Sequence, residues 1–190
     1  MSKYQPFTGD ELPEFIYLDT SFLVLAAGSP KAEHREEASD FMDRLMAHGT
    51  TVVVNNLVLL EAWHVALKQA AKEALQAAGR KYRQNEHDVP AFRKTIVPKA
   101  QELIDKIGQI LDNFVAQGQG HIVELGHEDM TNAELCIQDC GLNSYDAAHA
   151  GTMLAYELYH IATMDKDFAE VASFTLWLPQ DRYKERGDNR

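Results

Sequence analysis

Short apolar runs alternate with amphipathic helical segments along most of this 190-residue chain, and that alternation restricts the fold more than any other feature. FIYLD at 15–19 is apolar without a two-residue period, as expected of a strand covered on both faces. Thr51 to Val54 is β-branched and reads as a second strand. His121 to Leu125, Ile161 to Met164 and Phe174 to Leu178 read as three more. Between them, Ser29-Pro30 has the composition of a helix start, and Ala38, Phe41, Met42 and Leu45 follow helical spacing. Asn55 or Asn56 caps a helix that begins LVLLEAWHVAL and ends near Gly79. RKYRQNEHDVP reads as a loop, and a long helix follows from about Ala91 to Gln117, with Pro98 as a kink or a later start. Thr131 to Cys140 and a segment capped by Asn143 or Ser144 are two further helices. The pattern predicts an α/β fold with a central, mainly parallel sheet of four or five strands, in a single domain over 1–190.

The charge is unevenly distributed. The net charge of −11 argues against a nucleic-acid binder, yet residues 68–106 carry nine basic residues against five acidic ones. That segment is +4 and the remainder is −15. It falls within a predicted helical hairpin at about 67–118. Lys68, Lys72, Arg80, Lys81, Arg83, Arg93 and Lys94 are its candidate RNA-backbone contacts. A solvated helical face explains the same charges without a ligand.

MSKYQPFTGDELPEF lacks an apolar core of the kind secretory signals carry, and no apolar run reaches about 18 residues. Neither a signal peptide nor a membrane span is expected. Cys136 and Cys140 lack a second cysteine pair for a metal site, so they read as ordinary thiols in a cytoplasmic protein.

Several acids sit where apolar residues would otherwise be expected. Asp19 ends the first strand, Glu61 interrupts NLVLLEAWHVAL, Asp146 opens the NSYDAAHAG helix, and Asp165 and Asp167 follow the fourth strand. An ionised carboxylate near a core is costly unless a cation or strong donors compensate. Sites in open parallel sheets lie beyond the carboxyl ends of the strands, where Asp19 and Asp165 stand. Carboxylates without a basic partner describe a site for a hard cation, Mg²⁺ or Mn²⁺. Taken singly, each acid has a plainer role: Asp19 as a turn cap, Glu61 as a surface residue, Asp146 in a capping pair with Asn143, Asp165 and Asp167 as turn formers. The metal reading rests on the set.

YLDTSFLV, VVVNNLVLLEAWHV, GLNSYDAAHAGTMLAYEL and IATMDKDF, in that order, resemble the PIN domain nucleases, in particular the VapC-like toxin ribonucleases. The resemblance covers about residues 15–66 and 120–178. It implies a PIN-like three-layer α/β/α fold carrying the helical hairpin as an insertion. It implies Asp19, Glu61, Asp146 and Asp165 as the catalytic and metal-binding acids, supported by Thr20 or Ser21 and by Thr163, with Asp167 as a flanking acid. The implied activity is metal-dependent cleavage of RNA leaving 5′-phosphate and 3′-hydroxyl ends. A small antitoxin partner and a homodimer are implied as well. The segment at 67–118 is longer than the family pattern between the Glu61 helix and the third strand.

Two other readings compete. The same fold with weak or absent catalysis would serve as an RNA-binding or partner-docking module. Alternatively, Glu61-Ala62-Trp63-His64 and Glu157-Leu158-Tyr159-His160 are both Glu-x-x-His, the pairing used by di-iron helical bundles. That second reading has no place for the strands and lacks two further inward Glu residues.

Overall fold

The structure is a computed structural model describing residues 4–28 and 32–182. Among these residues six strands form one sheet: β1 (Tyr4–Pro6), β2 (Phe15–Leu18), β3 (Thr51–Asn55), β4 (Gly120–Val123), β5 (His160–Ala162) and β6 (Thr175–Leu178). Their order is β1-β6-β5-β2-β3-β4, and every pairing is parallel. Six helices connect them and lie on both sides of the sheet: α1 (Thr20–Ala27), α2 (Arg35–His48), α3 (Leu57–Ala77), α4 (Pro90–Ala116), α5 (His127–Cys140) and α6 (Ser144–Ala155). The expected α/β/α architecture is therefore present.

The sheet has six strands rather than four or five. Tyr4–Pro6 is three half-buried residues at the sheet edge, with too little apolar pattern to signal a strand. The apolar run Phe22 to Ala27 belongs to α1, which follows β2 after Asp19 alone. Ser29 and Pro30 lie outside the described residues, and the described helix α2 begins at Arg35. α5 starts four residues earlier than Thr131, at His127. Pro98 sits inside the continuous α4 rather than at its start. The second Glu-x-x-His pair is not helical: Glu157 has φ of 55° beyond the end of α6, and His160 begins β5. This removes the di-iron bundle.

The chain runs from β2 outward to β3 and β4, then returns on the other side of β2 to form β5 and β6. β2 is thus the point where the strand order reverses, the position at which open α/β sheets form their ligand crevices. Register brings the strand ends level, with Leu18 beside Ala162 and Tyr17 beside both Val53 and Ile161. The core packs around these strands, with Ile16, Tyr17 and Leu18 fully buried. A second, smaller cluster holds α3 against α4 through Ala66, Ala70, Ala71, Ile96 and Ala100. Alanine on the facing side lets the two helices approach closely and form the basic arm.

α5 and α6 pack closely because Gly151 faces α5. A Cβ at that position would lie 2.2 Å from the Asp129 carbonyl oxygen and 2.8 Å from the Ala133 nitrogen. Both are backbone atoms and cannot swing aside. Gly151→Ala is therefore expected to destabilise the protein by about 2–3 kcal/mol through overpacking, measured by urea unfolding. An unchanged midpoint would show that α5 moves freely against α6.

Candidate active site

Asp19, Glu61, Asp146 and Asp165 line one open cleft of about 530 Å³, together with Thr20, Ser21, Leu57, Leu60, His64, Val65 and Tyr145. Neither lysine nor arginine is among the described residues lining it. The three central strands supply the frame. Asp19 follows β2 directly, Glu61 lies in the second turn of α3 after β3, and Asp165 follows β5 by three residues. Asp146 comes from the first turn of α6.

Asp19 is 5% exposed and is the N-cap of α1. Its Oδ2 accepts hydrogen bonds from the Ser21 hydroxyl, the Ser21 backbone N–H at 3.3 Å and the Thr163 hydroxyl at 2.8 Å. The plain capping role and a place in the cleft therefore coexist in this residue. Thr20 Oγ1 donates instead to Glu61 Oε2 at 2.6 Å. Asp165 accepts on Oδ1 from the Asp167 backbone N–H at 2.8 Å, and its own N–H donates to Thr163 at 2.9 Å. Asn143 caps α6 through its side-chain oxygen and donates its amide to Asp146 Oδ2. Each of the four acids thus commits one oxygen to a protein donor. The other oxygen has no hydrogen bond among the described residues.

The acids fall into two groups. Ligand atoms of Asp19, Glu61 and His149 lie within 4.8 Å of one another, as do those of Asp146, Asp165 and Asp167. Asp167 thus joins the site as well as opening the turn Asp167–Glu170. Burial raises the Asp146 carboxyl, the charges of Asp165 and Asp19 raise it further, and its pKa is pushed up to about 6. For Glu61, burial works in the same direction but is outweighed by the hydrogen bond and charge of His149 and by the Thr20 hydroxyl, which hold the carboxyl below its ordinary range. His149 is the reciprocal case. Burial lowers it, while the bond to Glu61 and the charges of Asp19, Glu61 and Asp146 hold it above its ordinary value. Free carboxylate oxygens, like-charge strain at Asp146 and the absence of a lysine or arginine lining suit a hard divalent cation.

His149 stands three residues after Asp146, one helical turn along the same face, a signal that the sequence reading weighed against a core or surface role and set aside. Tyr17 and Asn55, which support His149 and α3, gave less. Asn55 Oδ1 accepts from the Leu57 and Val58 N–H groups, performing the capping that the spacing assigned to Asn55 or Asn56.

The basic residues of the arm lie outside the cleft. Arg80 pairs with Glu86 at 3.3 Å, Arg93 with Asp88 at 3.1 Å, and the Lys72 ammonium stands 5.7 Å from the Tyr82 ring centre. Lys68, Lys81, Arg83 and Lys94 are exposed, and their side chains have no ion pair among the described residues.

The raised carboxyl at Asp146 has a thermodynamic consequence. The folded state holds this proton more tightly than the unfolded chain does. The associated stability is present at low pH and is lost as pH rises through about 6. Asp146→Asn is expected to raise the melting temperature of metal-free protein more at pH 7.5 than at pH 4.5. It should also reduce the further rise that Mn²⁺ produces in the parent at pH 7.5. Thermal melts at the two pH values check both outcomes.

The PIN domain family model matches residues 16–173. Among solved structures, the chain is similar to VapBC2 from Rickettsia felis bound to a DNA fragment from their promoter, at 13% identity and a TM-score of 0.49, covering 85% of this chain and 96% of that one. No curated protein matches. With the family model spanning most of the sheet and all four cleft acids, this chain belongs to the PIN domain family.

Proposed function

We propose that the protein is a divalent-metal-dependent endoribonuclease, and the toxin of a toxin–antitoxin pair. The observation that carries the reading is the meeting of four carboxylates in one cleft at the carboxyl ends of β5, β2 and β3, each with one oxygen uncommitted. Asp19, Glu61, Asp146 and Asp165 would hold Mg²⁺ or Mn²⁺. When bound, such an ion lowers the pKa of its water and offsets charge on phosphate oxygens.

The remaining work belongs to the chain. Ser21 and Thr163 fix the position of Asp19 by donating to Oδ2. Thr163 also receives the Asp165 N–H, so one hydroxyl sets the spacing of two acids on neighbouring strands. The acids alone repel a polyanion, and the basic arm compensates at a distance by attracting the backbone without reading bases. RNA as the substrate follows from the VapC-like stretches of the sequence. The same stretches suggest a small antitoxin that inserts a basic side chain among the carboxylates, a homodimer, and a cytoplasmic setting. No helix of the described residues is long and apolar enough to cross a membrane.

Asp19→Asn and Asp146→Asn are each expected to slow RNA cleavage in Mn²⁺ by at least about a hundredfold, the upper range seen for losses in the shell around a metal. Gel analysis of a defined RNA checks this, and parent-like rates in both variants would reject the assignment. Parent protein that binds RNA but leaves it intact in either ion would identify a binding module. Charge reversal at Lys68 and Lys94 is expected to raise KM while kcat holds. It should also flatten the salt dependence of binding by roughly 0.7 log units per log unit of salt for each phosphate no longer neutralised.

A further inference from the structure

His149 differs from the four acids in being almost wholly buried, at 1% exposed, with both ring nitrogens engaged. Nε2 lies 2.8 Å from Glu61 Oε2, and Nδ1 lies 2.7 Å from the Tyr17 hydroxyl. The Asn55 backbone N–H donates to that hydroxyl at 3.3 Å. In a neutral ring, the Tyr17 hydroxyl donates to Nδ1 and Nε2–H donates to Glu61. In a protonated ring, Nδ1–H donates to the hydroxyl and Nε2–H still donates to Glu61. The bond to Glu61 is the same in either state.

Glu61 Oε2 also receives the Thr20 hydroxyl at 2.6 Å. Donors from α1 and α6 therefore converge on a single oxygen of a residue carried by α3. Two fixed donors on one oxygen set both the position and the rotation of the carboxylate. They leave Oε1 without a hydrogen bond among the described residues.

We infer that His149 is a positioning residue: through the Asn55–Tyr17–His149 chain it locks Glu61 so that Oε1 alone faces the cation, and it is not itself a ligand. This rests on the metal-nuclease reading above. Proximity alone would allow ligation, since His149 shares a 4.8 Å cluster with Asp19 and Glu61. The hydrogen bonds decide otherwise. Coordination through Nε2 breaks the bond to Glu61, and coordination through Nδ1 breaks the bond to Tyr17. In either case Nδ1 can no longer accept from the buried Tyr17 hydroxyl, whose proton is left without a partner among the described residues, a loss costlier than the exchange of partners at a surface. Second-layer histidines and carboxylates of this kind fix the direction of true ligands.

The test uses the intact chain. In ¹H–¹⁵N spectra of metal-free protein, the His149 Nε2–H is expected as a slowly exchanging ring proton. It should shift in E61Q and persist when Mg²⁺ saturates the site. Its absence from metal-free protein, or its disappearance on adding Mg²⁺, would overturn the inference. A double-mutant cycle read by Mn²⁺ calorimetry provides the second measurement. H149L is expected to weaken Mn²⁺ about tenfold or more in the parent background and to change nothing further in E61Q. H149Q, which keeps an N–H donor, should recover most of the loss. Equal losses from H149L in both backgrounds would make His149 a ligand and overturn the inference. So would a loss from E61Q with none from H149L. If H149L does not fold, the ring proton decides alone. If the parent binds neither ion, or E61Q binds as the parent does, the metal-site reading fails and takes this inference with it, before any change at His149 is needed.

Discussion

The structure depends on dividing each carboxylate in two: one oxygen anchored by a protein donor, the other left uncommitted. Gathering four acids into one cleft is opposed by desolvation and by their mutual repulsion. Hydroxyls and amides from neighbouring elements offset part of that cost. They do so without neutralising the charge, because none is a lysine or arginine. The residual strain is concentrated at Asp146, whose carboxyl is pushed up to about 6. Structural ion pairing would have relaxed that strain. Under the metal-dependent reading proposed above, a doubly charged ion would relieve it.

The sheet makes the gathering possible. Parallel register puts the carboxyl ends of β5, β2 and β3 level, and the reversal of strand order at β2 opens space above them. The hydroxyl of Thr163 then spans β2 and β5, while Thr20 spans α1 and α3. On the other side of the cleft, α6 is placed by its close packing on α5 at Gly151 and by the bond from Asn55 Nδ2 to Thr152 at 3.0 Å. Site and fold share the same interactions, so a change in packing between α5 and α6 reaches Asp146 directly.

The basic charge of the arm lies outside the cleft. Positive charge placed among the cleft acids would pair with them and occupy the cation's position. On α3 and α4 it is kept apart, on helices that carry their own small alanine-rich core. Some of that charge is engaged within the arm by Glu86 and Asp88. Lys68, Lys81, Arg83 and Lys94 are exposed and have no ion pair among the described residues.

Much was legible in the chain before folding. The apolar runs Ile16–Leu18 and Val52–Val54 marked strands covered on both faces, and the helical periodicities placed α3, α4 and α6 closely. The misplaced acids at 19, 61, 146 and 165 marked the cleft, because an acid in an apolar setting is conspicuous in one dimension. What sequence could not reveal lay in interactions between distant segments. Tyr4–Pro6 becomes a strand only because β6 is beside it. His149 looks like a core residue of α6 until Tyr17 and Glu61, 132 and 88 positions away, close on its two nitrogens. Residue chemistry and spacing determined which groups could carry charge and which faces had to be buried. Hydrogen-bond direction, and therefore which oxygen of each acid stays uncommitted, was decided only when parallel pairing brought the strand ends together.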